Sequence, residues 1–171
     1  MSARDLGLLA LRIAVGGPLI GHGAQKLFGW FGGAGLDATA EGFEQIGFRP
    51  GKVNAVAAGL GEAGGGALLV AGLGTPGAGA AVAGTMIVAS TMHTANGFFA
   101  NKGGFEFPAV LGAGAVGLAL TGPGTLSLDH VLGHRLNRGW MRATALAAVV
   151  PAAASVITRR RRAVGSAPSA G

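Results

Sequence analysis

The 171-residue chain contains no cysteine. That removes structural disulfides, thiolate chemistry, iron–sulfur ligation by thiolates and covalent haem attachment, so any redox role needs a bound cofactor or a partner protein. Charge is scarce too: Asp, Glu, Lys and Arg together make up 12% of the residues, against ~25% in an ordinary soluble domain. The spacings HExxH and ExxH are absent, as are a P-loop and a nucleophile elbow, and the strings resembling GxGxxG follow no strand. Metal-ligand sets, phosphate cradles and hydrolase triads therefore have no support, and no metal site is expected.

What the chain has instead is apolar length. Half of its residues are apolar and mean hydropathy is +0.51. The 34 glycines are interleaved with Ala, Leu and Val inside long runs, where small residues let membrane helices approach closely. The net charge of +6 comes largely from Arg135, Arg138, Arg142 and the run Arg159 to Arg162. A charge of flank and tail suits anionic lipid headgroups; nucleic acid, which asks for a basic folded face with interleaved readers, is not an expected partner.

A hydrocarbon core of ~30 Å asks for ~20 residues of helix. Four segments meet that length, at about Leu6 to Phe28, Val53 to Leu73, Pro76 to Phe99 and Phe105 to Thr121, and a fifth, Met141 to Thr158, is Ala-rich and interrupted by Pro151. Helix is the state that satisfies backbone groups in lipid, and the alternation of a barrel strand is missing. The expected fold is thus all-α: an integral membrane four-helix bundle over residues 1–132, an additional Arg-flanked C-terminal apolar helix over 133–162, spanning or interfacial, and a disordered tail over 163–171. The first stretch is about twice as long as a signal-peptide core and carries Arg12, so it reads as a retained helix. Residues between Trp30 and Lys52 have the spacing of a short amphipathic interfacial helix.

The apolar segments are interrupted by Arg12, His22, Lys26, Glu62 and His93, with Glu106 at a segment mouth. An ionisable group at mid-membrane costs ~2.5 to 3.5 kcal/mol on insertion scales, which favours mutual pairing in a bundle interior. Counting depth at 1.5 Å per residue puts His22 and Lys26, His93 and Asn96, and Glu106 at one level. That makes His22, Lys26, His93, Asn96 and Glu106 a candidate ligand pocket. Arg12 and Glu62 form a deeper level, and a buried Arg12 to Glu62 ion pair is the expectation there. Plainer roles stand beside these: Lys26 and Lys102 reaching headgroups, His22 bonding a carbonyl, and Glu106 capping the fourth helix before Pro108.

The strings LRIAVGGPLIGHGAQKLFGWFGG, GLGEAGGGALLVAGLGT, MHTANGFFANKGGFEFPAVL and TGPGTLSLDHVL, covering roughly residues 5 to 132, resemble the DoxX family of small bacterial membrane proteins. The resemblance implies a multi-pass four-helix bundle in the cytoplasmic membrane, linked to oxidoreductase systems of oxidative and thiol stress or to thiosulfate:quinone oxidoreductases. By motif, Arg12, His22, Lys26, Glu62, His93, Glu106 and Asp129 match recurrent polar positions. The extension after Leu132 departs from the pattern.

Two functions compete. In the first, a quinone-interacting redox subunit, His22 and His93 donate to quinone oxygens, Lys26 stabilises developing negative charge and Glu106 exchanges protons, while a partner delivers electrons. In the second, a non-catalytic anchor, the polar cluster sets helix register and the loops and Arg tail recruit soluble oxidoreductases. A small-molecule carrier is a third reading, without the inverted repeat that transporters often show. The partners these readings imply are membrane lipids, soluble oxidoreductases and a second copy of the chain.

Overall fold

Helix α1 (Ala3–Phe28) starts at a capping box, in which Ser2 Oγ accepts from the Asp5 amide and the Asp5 carboxylate accepts from the Ser2 amide, each at 3.2 Å. Two orphan amides are satisfied reciprocally by that exchange. In this computed structural model, which describes residues 2–166, α1 runs through Pro18 without ending and stops where Gly29 takes a left-handed conformation. The elements that follow are α2 (Gly35–Gln45), α3 (Gly51–Ala71), α4 (Thr75–His93), α5 (Glu106–Thr121), the single turn α6 (Leu128–Val131) and α7 (Gly139–Gly165). Among the described residues there is no strand.

By length and composition α1, α3 and α7 are able to cross a membrane, and α5 is apolar but shorter, at 16 residues. Helix α4 is long enough, and its many Gly, Ala and Thr residues dilute its hydropathy. It ends at His93 instead of continuing to Phe99, because the chain turns there into short 3-10 pieces. The amphipathic stretch between Trp30 and Lys52 is α2. Large apolar residues such as Ile13, Leu60, Val110 and Val150 face outward, as expected where the surrounding medium is hydrocarbon rather than water.

Helices α1 and α3 approach each other closely. A Cβ built on Gly16 would lie 2.5 Å from the Gly66 carbonyl oxygen, and one built on Gly23 would lie 2.6 Å from that of Gly59. Both pairs are seven residues apart on their helices, so one stripe of missing side chains serves two full turns. Helices α4 and α5 meet in the same manner, with Gly79 against Ala115 and Ala119. Between these pairs lies the core, with Val15, Leu19, Leu69, Val82, Met86 and Leu118 in one cluster.

Glycine contacts also decide which charges meet. Arg12 reaches the αL-capped end of α3, where its guanidinium packs against Gly72. It is 1% exposed and donates to the carbonyls of Pro123 (2.9 Å) and Leu126 (2.6 Å) in the segment after α5. The same end of the molecule holds Asp129 on α6, fully buried and accepting from the amides of Gly74 (2.9 Å) and Thr75 (3.1 Å) and from the Thr75 hydroxyl (2.9 Å). One carboxylate thus satisfies the orphan amides of α4 and holds α6 beneath the α3–α4 turn. The expected Arg12 to Glu62 pair is not formed. Glu62 adjoins Ala63, which lies level with Gly23, about eleven residues and ~16 Å along α1 from Arg12.

Helix α7 is longer than the expected 141–158 segment, and residues 163–165, expected in a disordered tail, are its last turn. The rest of that tail, residues 167–171, lies outside the described residues. Pro151 is accommodated within the helix. Helix α7 lies along α4 and touches α5, so it forms part of the wall of the molecule.

Two outcomes follow from this packing. Gly23→Leu lowers stability by ~1 to 3 kcal/mol through overpacking, read by thermal unfolding in detergent, whereas Gly17→Leu, with nothing within 4 Å of its Cβ position, stays near wild type. Asp129→Ala lowers stability by ~1 to 3 kcal/mol, because the Gly74 and Thr75 amides and the Thr75 hydroxyl lose their buried acceptor; a melting point unchanged from wild type would contradict the latch.

Candidate functional site

Between α3, α4 and α7, closed at one end by α2 and the loop after it, lies a cavity of about 550 Å³. Its surface is overwhelmingly apolar, with Phe43 and Phe48 from the α2 region, Val88 and Met92 from α4, and Ala153 and Val156 from α7. Three ionisable groups enter it: Lys26, Glu62 and His93.

Lys26 sits three residues beyond Gly23, near the end of α1. Because Cα–Cβ bonds tilt toward a helix N-terminus, its long side chain runs back to the level of Glu62. The ammonium donates to Glu62 Oε2 at 2.6 Å, with the Lys26 side chain 26% and the Glu62 side chain 7% exposed. The carboxylate is therefore the deeply held member, and the ammonium keeps a path outward. A charge-assisted bond of this length neutralises both groups at the cavity wall.

His93 closes α4 and lies at the mouth of the cavity. Its Nδ1–H donates to the Gly103 carbonyl at 2.9 Å, which in the neutral ring leaves Nε2 as an acceptor. Asn96 Nδ2 donates to the same carbonyl at 3.1 Å, and the Glu106 carboxylate accepts from the Ala100 amide at 2.9 Å. His93, Asn96 and Glu106 thus tie down the loop between α4 and α5, together with the amides of Phe105 and Glu106, which donate to the carbonyls of Gly97 and Phe98.

Of the five residues expected to share a pocket, the structure brings Lys26 and His93 to one cavity and joins Glu62 to them. His22, Asn96 and Glu106 do not line it. His22 lies on the outer side of α1, exposed, with its ring edge-on to Phe107 at 5.4 Å, beside a shallow groove formed with Pro18 and Phe31. A depth count carries no information about azimuth, which decides whether a side chain enters the cavity. Glu106 stands in the first turn of α5, but the amide its carboxylate accepts from belongs to Ala100 in the preceding loop. Among the described residues no group of three or more His, Asp or Glu is placed to hold a metal ion.

Sequence reasoning missed the partners of Lys26 and of Arg12, the aromatic wall from α2, and the wall from α7. A usable signal existed for the first: the seven-residue spacing of Gly16 and Gly23 against Gly59 and Gly66 defines the α1–α3 register, and that register sets Lys26 beside Glu62.

The DoxX family model matches residues 7–95, more than half of the chain, and the protein belongs to the DoxX family. The matched span covers α1 through α4 and holds Arg12, His22, Lys26, Glu62 and His93; Asn96, Glu106, Asp129 and all of α7 lie beyond it. No curated protein and no solved structure matches the chain.

The ion pair has an asymmetric signature. Lys26→Met strands the buried Glu62 carboxylate and lowers stability by ~3 to 5 kcal/mol, while Glu62→Gln costs less, because the freed ammonium can reach headgroups. The double variant recovers most of the loss. Thermal melts of the four proteins test the cycle, and equal, additive losses would show that the two groups are not coupled.

Proposed function

We propose that this DoxX-family protein is a multi-pass subunit of an oxidoreductase system in a bacterial cytoplasmic membrane, built on a four-helix core of α1, α3, α4 and α5 with α7 as an added span. In this reading the cavity holds a quinone. The observation that carries it is the cavity's chemistry: about 550 Å³ lined mostly by apolar and aromatic side chains, with three ionisable groups, Lys26, Glu62 and His93, among them. Ligand sites are of this size, mostly apolar, with a few convergent polar groups that set orientation.

A quinone ring with its isoprenoid chain matches such a lining. The Lys26 ammonium, already oriented by Glu62, would donate to one carbonyl oxygen and gain strength as negative charge develops there. His93 Nε2 at the mouth would exchange a proton with the second oxygen. The chain contributes positioning and protons; a partner oxidoreductase supplies the electrons. His22, Asn96 and Glu106 have no part in this site.

A second reading, a non-catalytic anchor for soluble redox enzymes, has its own support. Lys26 and Glu62 neutralise each other, and His93, Asn96 and Glu106 commit hydrogen bonds to a loop, which is what a register-setting network does.

Mass spectrometry of the gently extracted protein separates the two. Quinone co-purifies with the wild type, and Ala152→Trp, which fills the cavity from α7, lowers its retention at least about tenfold, the equivalent of ~1.4 kcal/mol. Wild-type protein free of quinone, and unchanged in melting point by added quinone, would leave the anchor reading standing.

A further inference from the structure

The cavity has an unequal enclosure. Helix α7 lies along α4 and touches α5, yet the cavity is lined both by α3, through Ala57, Ala58 and Glu62, and by α7, through Ala152 and Ala153. The space therefore fills a gap between α3 and α7, and Ala57 on its rim is exposed at the outer surface. On the same outer face of α3, Val53 and Leu60 are exposed. The α3 side of the seam is thus bordered by exposed apolar residues.

Each end of α7 is fastened by a single arginine. At the start, Arg142 donates to Asn137 Oδ1 at 3.0 Å and to the Leu120 carbonyl at 3.1 Å. At the other end, Arg160 crosses the gap to the loop after α2, donating from Nε to the Ile46 carbonyl at 2.9 Å with its guanidinium 5.5 Å from the centre of the Phe48 ring. A Cβ on Gly47 would collide with Val164 of α7, so the last turn of the helix rests directly on backbone there. Ile46 and Phe48 are themselves cavity residues. Between the two arginines, α7 buries little more than Val149 and Ala153.

We propose that the seam between α3 and α7 is the lateral entrance through which a membrane-dissolved ligand reaches the cavity, and that Arg160 is the bolt that sets its width. The inference rests on the cavity being a ligand site, and names how that site is filled: from the bilayer, by a molecule carried in hydrocarbon, and not from water. Helix α7 packs along α4 and not along α3, and it buries few side chains between its ends, so its α3-facing side opens at lower cost than its α4-facing side. Within α7 the backbone amides stay satisfied by the helix itself, and opening releases the Ile46 carbonyl that Arg160 holds.

The chain's lack of cysteine provides the test. Single cysteines are introduced at Ala58→Cys, inside the cavity, and at Leu60→Cys, on the lipid-facing side of α3, in full-length protein in lipid nanodiscs. Each is labelled with a lipid-soluble maleimide and with a charged, membrane-impermeant thiosulfonate. Normalised to position 60, the cavity thiol reacts with the maleimide and is protected from the charged reagent. Adding Arg160→Ala raises the maleimide rate about tenfold, as expected for losing a hydrogen bond from a charged donor, with Arg160→Lys intermediate. Preferential labelling of position 58 by the charged reagent would overturn the lateral route; a maleimide rate unmoved by Arg160→Ala, in protein with an unchanged melting point, would overturn the bolt. Failure of added quinone to protect the cavity thiol would instead count against the quinone reading, without touching the access rates.

Discussion

The contact on which the rest of this structure depends is the side-chain-free stripe where α1 meets α3. With Gly16 against Gly66 and Gly23 against Gly59, the two backbones come close enough that neither helix can slide by a turn without driving a side chain into a carbonyl. In a medium where apolar surface gains nothing by leaving lipid, such van der Waals fit carries much of the association. Once the register is set, the placement of every charge on the two helices follows from it. Lys26 falls beside Glu62, and Arg12 falls at the turn after α3.

The two charged levels then do different work. At one end of the molecule Arg12 and Asp129 bind carbonyls and amides from two stretches of chain, 123–126 and 74–75, and both are sealed from solvent. This is a structural latch: it converts the segment after α5 from a loose connection into part of the core. At the other level Lys26 and Glu62 meet at the wall of an open space, with the ammonium only partly covered. A pair that is neutral overall, accessible on one side and backed by apolar surface is suited to holding the polar end of an amphiphile.

Much of the fold was legible from the residues. The apolar runs and their lengths marked α1, α3, α5 and α7, and the amphipathic spacing marked α2, because period and length are local properties that a linear chain displays directly. The candidate site was legible only in part. Axial depth follows from residue number, so His22, Lys26, His93, Asn96 and Glu106 were grouped at one level; azimuth depends on how each helix is rotated against its neighbours, and that turned His22 outward toward Phe107. The Arg12 partner was misassigned because depth was counted from segment mouths, whereas the glycine contacts shift α3 against α1. Asn96 and Glu106 went to the loop because nearby backbone groups reached them first.

By itself the sequence determined that this is an all-helical, lipid-suited chain without thiol chemistry, and that its few ionisable residues inside apolar runs must find partners, since burial of a lone charge is too costly to persist. Tertiary structure alone decided which partner each one found and that a cavity exists at all. The cavity is a property of five helices at once, with α7 lying along α4 while standing off from α3. No local pattern encodes such a gap, because it is made by the packing of side chains far apart in the chain.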